Sequence, residues 1–206
     1  LSVCGIAGLW ARPGAEAPRR AEIETMVQTL HHRGPDGQGT LVDGAIGLGH
    51  ARLSIIDLAG GAQPMGNEDG RIQVVFNGEI FNYLELREQL VAQGHRFATA
   101  SDTEVLVHLY EQHGEAFVEH LNGQFAIALW DGVRRRFVLA RDRAGIRPLY
   151  YTRARSRLWF GSEVKSLLAA LPELARLDPR GLVQALNLWA PLDPDTVFEG
   201  VQSLPP

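Results

Sequence analysis

Four positions along the chain carry side chains that could together attack an amide. Cys4 is the only cysteine, within Val3-Cys4-Gly5-Ile6-Ala7-Gly8. Its thiol needs a base or a lowered pKa to act as a nucleophile. Were Cys4 the first residue, its own α-amine, with a reference pKa of roughly 7.7–8.0, would supply that base near neutral pH, and Gly5 leaves room for a substrate beside it. Asn77-Gly78, in Asn77-Gly78-Glu79-Ile80-Phe81-Asn82, follows the apolar run Val74-Val75-Phe76. An Asn side-chain amide and a glycine N–H at a strand end can hold a tetrahedral oxyanion. Arg52, polar within an apolar strand, can clamp a carboxylate with two parallel hydrogen bonds. Asp102, in Ser101-Asp102-Thr103-Glu104, can pair with an ammonium group. Nucleophile, oxyanion donors, carboxylate clamp and ammonium partner are the parts needed to hydrolyse an amide carried by a free amino acid.

Each residue also has an ordinary use when taken singly. A lone cysteine fills a buried strand position, Asn-Gly makes a turn, and an arginine sits on a solvated strand face. An aspartate opening a helix is favoured by the helix dipole.

The elements that must position these groups follow from periodicity and punctuation. Val3 to Trp10 is an apolar strand with close backbone approaches at Gly5 and Gly8. Ile23, Met26, Val27 and Leu30 give Ala21 to Leu30 helical spacing, and Gly34-Pro35-Asp36-Gly37 forms a tight loop after it. Strands are expected at Gly39 to Val42, Ile46 to Ala51 and Ile72 to Phe76. Asn82 is placed to cap a helix over Tyr83 to Gln93, and Ser101 and Asp102 open another over Thr103 to His113. Phe125 to Trp130 and Arg136 to Arg141 form a hairpin across Asp131-Gly132. Strands near Leu149 to Thr152 and Leu158 to Ser162 lead into a helix over Val164 to Leu171, and Asp178-Pro179 starts a last one. Strands and helices come in blocks rather than in strict alternation. That argues against a parallel sheet and leaves two face-to-face sheets flanked by helices, or another α+β layering.

The 206 residues are enough for one domain with its own core. A net charge of −4 offers no field to recruit nucleic acid. One cysteine excludes an internal disulfide, and no Cys/His spacing marks a zinc site. No apolar run reaches membrane-spanning length and no signal-peptide pattern begins the chain. The expectation is a cytoplasmic protein with no nucleic-acid or membrane partner.

The motifs occur in a telling order. His32-Arg33-Gly34-Pro35-Asp36-Gly37 follows the Cys4 segment, then Arg52-Leu53-Ser54-Ile55-Ile56-Asp57, Asn77 to Asn82 and Ser101 to Glu104. Arg141-Asp142-Arg143-Ala144-Gly145-Ile146-Arg147-Pro148-Leu149-Tyr150-Tyr151 and Gly161-Ser162-Glu163-Val164-Lys165 complete the series. From Cys4 to Pro206 this resembles the class II glutamine amidotransferase domain of glutamine-hydrolysing asparagine synthetases. The resemblance implies a four-layer α/β/β/α sandwich of two mainly antiparallel sheets, the N-terminal-nucleophile hydrolase fold. It implies that Cys4 forms a glutamyl thioester, that Asn77 and Gly78 hold the oxyanion, and that Arg52 binds the glutamine carboxylate. Leu53, Ser54, Ile55 and Ile56 then line the same wall, and Glu79 and Asp102 contact the polar groups of the substrate. The Arg141 to Tyr151 stretch is expected to be structural or domain-contacting.

Two departures bear on this reading. Leu1-Ser2-Val3 precede Cys4, so its nitrogen as written is an amide; a start residue, an expression leader or a processed segment would each account for them, and so would an inactive protein. The family also continues into an ATP-dependent synthetase domain with a Ser-Gly-Gly-x-Asp-Ser type phosphate loop, and no such loop occurs in these residues. The expected arrangement is residues 1–3 as a leader, 4–190 as the amidotransferase domain, and 191–206 as an extended tail approaching a linker. The expected partners are L-glutamine and a C-terminal synthetase domain, with a homodimer compatible. The fragment itself is expected to need no metal or cofactor, ATP and magnesium belonging to the synthetase domain. The alternatives are a non-catalytic glutamine-binding or docking module with a blocked nucleophile, and an amidase for another acyl substrate.

Overall fold

The computed structural model describes residues 4–55, 57, 58 and 60–206. The predicted leader residues 1–3 and the predicted wall residue Ile56 lie outside the described residues.

Among the described residues, ten strands form two antiparallel sheets. In chain order they are β1 (Gly5–Ala11), β2 (Gly37–Asp43), β3 (Ile46–Arg52), β4 (Met65–Gly66), β5 (Ile72–Ile80), β6 (Gly123–Asp131), β7 (Arg136–Arg141), β8 (Tyr150–Ala154), β9 (Arg157–Gly161) and β10 (Gln202–Ser203). Six strands run in the order β10-β8-β9-β1-β3-β2 and four in the order β4-β5-β6-β7. The α-helices are α1 (Arg20–Gln28), α2 (Tyr83–Ala92), α3 (Asp102–His113), α4 (Val164–Ala170) and α5 (Pro179–Leu188).

Strand alternation builds the layers. On β1, Ala7 and Leu9 face Ile23, Met26 and Val27 of α1 and Leu167 of α4. Ile6 faces the other way, into a core shared with Ile46, Leu48, Val75, Ala126, Ala128, Trp130 and Phe160 of both sheets. On β5 and β6, Val74, Phe76, Phe125, Ile127 and Leu129 pack beneath Leu86 and Leu90 of α2 and Val105, Leu106 and Leu109 of α3. Three cores separate four layers, α/β/β/α, which decides between the layerings left open by periodicity.

The helix boundaries agree with their punctuation in most places. Ser101 accepts from the Thr103 N–H at 3.2 Å, Asp178 caps Arg180 at 2.9 Å, and Gly94 and Gly114 end α2 and α3 with positive φ. Asn82 differs: its side chain makes no cap bond to α2. It accepts from Asn122 N–H at 3.0 Å and donates to the His120 carbonyl at 3.0 Å, tying the start of α2 to the segment that leads into β6. A larger correction concerns β5. Asn77-Gly78 is not at a strand end, because β5 continues to Ile80 and pairs Asn77 with Ala126 and Gly78 with Phe125. A Cβ at position 78 would collide with the Gln124 carbonyl, so glycine is required by the close approach of β6. The extended tail returns to the body: Val201 is buried and β10 pairs with Tyr150 and Tyr151 of β8.

Candidate active site

A cleft opens at one end of the space between the sheets. Cys4, His50, Arg52, Leu53 and Ile55 line it from the six-stranded sheet. Phe76, Asn77, Gly78 and Glu79 line it from β5, with Asp102 and Arg147 beside them. The parity of the strands explains the grouping. Ile46, Leu48 and Val75 point between the sheets, so the residues in step with them, His50, Arg52 and Asn77, emerge at the end of the same layer.

Cys4 immediately precedes β1. Its Sγ accepts from the Leu53 N–H at 3.3 Å and lies 3.5 Å from the Leu53 carbonyl. Burial pushes the thiol above its ordinary pKa, and the Leu53 and Cys4 N–H groups and the Arg52 charge offset only part of that. A neutral thiol at this position needs a base to become a nucleophile. Arg33 Nε donates to the Cys4 carbonyl at 3.0 Å while its Nη1 contacts Glu163 at 2.9 Å. Burial alone would raise the Glu163 carboxyl. Arg33, Lys165 and His32 together outweigh burial and hold it at about 2. The Arg33-Gly34-Pro35-Asp36 loop therefore positions Cys4. Asp36 continues that task by accepting from the Ser54 N–H at 2.8 Å. Ser54 is not among the residues that line the cleft, unlike Leu53 and Ile55.

Asn77 is fully buried, and neither its Oδ1 nor its Nδ2 has a hydrogen-bond partner. Each unsatisfied buried group costs about 1–3 kcal/mol, so this amide is held for something that enters the cleft. Asp102, also buried, accepts from the Ile80 N–H at 3.1 Å. Burial pushes its carboxyl up, the Ile80 N–H opposes this, and the neighbouring Glu79 charge adds to the rise. Arg52 donates to the carbonyls of Asp57 at 2.7 Å and Leu58 at 3.1 Å, which fixes its guanidinium at the rim.

The sequence reading missed several lining residues. His50 is buried with Nε2 unpartnered, and burial first, then the Arg52 charge, lower its pKa to about 3 against a hydrogen bond with the Phe76 backbone. Its place in step with Arg52 along β3 was the available signal. Gln63 receives the Phe76 N–H at 2.6 Å and donates to Thr103 at 3.2 Å, bridging β5 and α3. No periodicity marks a loop residue of this kind. Arg147 corrects an expectation: it lines the cleft rather than serving only as scaffold. Asp142 presents it, accepting from the N–H groups of Phe125, Ala144, Ile146 and Arg147. Arg141 ties the same loop to the tail through the carbonyls of Arg147, Gly145 and Leu204.

A thiol, a buried amide and a mixed set of charges stand together at the mouth of an α/β/β/α sandwich, the layering of an amidotransferase domain. Residues 3–206 match the glutamine amidotransferase domain family, and the chain belongs to it. It is 38% identical over 207 residues to "Asparagine synthetase [glutamine-hydrolyzing] 3" of Bacillus subtilis, covering 99% of this chain and 34% of that protein. It is 39% identical over 218 residues to "Amidase chry2" of Gibberella zeae, covering 99% of this chain and 31% of that protein. The chain thus spans about a third of the length of these relatives and corresponds to their amidotransferase part. Among solved structures, glutamine phosphoribosylpyrophosphate amidotransferase from B. subtilis superimposes with a TM-score of 0.68 at 23% identity, over 81% of this chain and 43% of that one. At that identity the likeness is one of fold.

Proposed function

We propose that this domain hydrolyses L-glutamine to L-glutamate and ammonia through a thioester on Cys4. The observation that carries the reading is the pairing, in one cleft, of a nucleophilic Sγ with the unpartnered amide of Asn77. Sγ attacks the side-chain amide carbon, and the oxyanion is received by Asn77 Nδ2 and the Gly78 N–H. The C–N bond breaks, ammonia leaves with the proton taken from the thiol, and water then cleaves the thioester to release glutamate. Arg52 binds the α-carboxylate, Leu53 and Ile55 form the adjoining wall, and Asp102 with Glu79 receives the α-ammonium group. The base is the α-amine of Cys4, which the reading requires to be freed by removal of Leu1-Ser2-Val3.

The ammonia is passed to an ATP-dependent synthetase domain that uses ATP and magnesium and activates a carboxylate acceptor, as in the asparagine-synthetase resemblance. The exposed apolar side chains of α5 and its end, Leu182, Val183, Leu186 and Trp189, support a docking role for that face.

Labelling with a diazo-ketone analogue of glutamine tests the assignment. A covalent adduct on Cys4 is expected once its amine is free, together with release of glutamate from glutamine. Absence of an adduct both before and after Cys4 is exposed would instead favour a binding or docking module. Turnover with Leu1 still attached, shown by intact mass, would overturn the assignment of the base.

A further inference from the structure

Away from the cleft, one ligand atom from each of His95, His108 and Glu111 lies within 4.8 Å of the others. Glu111 Oε2 stands 3.0 Å from His108 Nδ1 and 3.3 Å from His95 Nδ1. The outward nitrogens differ: that of His95 is within hydrogen-bond distance of an acceptor, whereas His108 Nε2 has no hydrogen-bond partner among the described residues. His95 Nε2 is 3.4 Å from the Gln112 side-chain oxygen, and His108 Nε2 is 3.8 Å from Glu104 Oε1.

This arrangement sets the protons. A neutral imidazole has one N–H; the Gln112 oxygen draws that of His95 to Nε2, and the same tautomer of His108 leaves its Nδ1 free to ligate. Both Nδ1 atoms then present lone pairs to the same carboxylate oxygen, and three electron-rich atoms converge with no donor among them. We propose that His95, His108 and Glu111 bind a divalent zinc ion. With bonds of about 2.0–2.1 Å, tetrahedral zinc holds its ligands about 3.3–3.4 Å apart, close to the 3.0 and 3.3 Å that separate Glu111 Oε2 from the two Nδ1 atoms. On the His95 side the surroundings match those of built metal sites, in which a ligating imidazole donates its other N–H to an acceptor. Asn67 Nδ2 holds Glu111 Oε1 at 2.7 Å. Ala98 and Thr99 hold the Glu104 carboxylate behind His108. His108 is buried, whereas the His95 and Glu111 side chains are 14% and 25% exposed, so water completes the fourth position. The ion joins the segment after α2 to the body of α3 and so steadies residues 95–101, which lead to Ser101 and Asp102 of the cleft.

The test is titration of chelator-treated protein with zinc chloride, followed by calorimetry and by the visible absorption of a cobalt(II) substitute. One equivalent of zinc, an intense tetrahedral cobalt spectrum and a raised Tm are expected. Affinity should fall at least tenfold in His95→Ala and Glu111→Gln, and be kept in Cys4→Ser. No saturable zinc binding by the unaltered protein would overturn the proposal, and the two histidines would then share a proton with Glu111 instead. Binding abolished by Cys4→Ser but kept by Glu111→Gln would overturn it too, placing the metal in the cleft. Circular dichroism checks that each variant folds, and the cobalt spectrum of the unaltered protein decides the matter if one does not.

Discussion

Arg33 Nε holds the carbonyl oxygen of Cys4 at 3.0 Å while the same guanidinium is pinned to Glu163 at 2.9 Å. The backbone of Cys4 is thus fixed from the residue that precedes α4, through a side chain with no hydrogen bond to Sγ. Misplacement of a reacting atom by about 1 Å can cost 10²-fold in rate. Arg33→Ala should therefore lower the kcat for glutamine by about 10- to 100-fold, and Glu163→Gln should act in the same direction to a smaller extent. Steady-state glutamate release measures both, and an unchanged kcat in Arg33→Ala would remove Arg33 from the positioning of Cys4.

Asn77 separates function from stability. Its amide is buried without partners, so its polar atoms lower rather than raise the stability of the folded state. Loss of one oxyanion donor costs about 10²–10³ in kcat. Asn77→Ala should show that loss in turnover with a Tm no lower than a small cavity would cause. An Asn77→Ala variant that keeps the kcat of the unaltered protein would contradict the oxyanion role.

Arg52 should act on binding. Charge-assisted hydrogen bonds contribute about 1.5–3 kcal/mol, so Arg52→Ala should raise KM for glutamine by about 10- to 100-fold. Because Arg52 also holds the Asp57 and Leu58 carbonyls, Arg52→Lys should recover only part of the loss. A KM unmoved by Arg52→Ala would favour an acyl substrate without an α-carboxylate.

His50 sets an acid limit on stability. Its pKa is about 3 when folded and about 6.5 in an unfolded chain. Between those values the unfolded state binds the extra proton. The stability present above pH ~6.5 is thus lost progressively as pH falls toward 3, by at most about 1.4 kcal/mol per pH unit. Urea unfolding of His50→Gln should show a shallower acid slope, by about one proton. An identical slope would mean that His50 does not stay neutral on folding.

Much of the fold was written in local sequence. Alternation marked the strands, Ser101, Asp178, Gly94 and Gly114 marked helix ends, and these depend only on neighbours along the chain. Most of the site was legible as well, since Cys4, Arg52, Asn77, Gly78 and Asp102 are the residue types that amide hydrolysis needs. What failed were contacts made across the chain. Asn77-Gly78 reads as a turn until β6 is seen beside it, because pairing with Ala126 and Phe125 is what extends β5 to Ile80. Gln63 and Arg147 gain their places from partners far away in sequence, Phe76, Thr103 and Asp142. Sequence by itself determined which groups exist and which strand face each one takes, because side-chain direction follows from strand period. Only the tertiary structure decided that the open end of the inter-sheet layer brings those faces to one cleft, and that burial there leaves the Cys4 thiol neutral and the Asn77 amide without a partner.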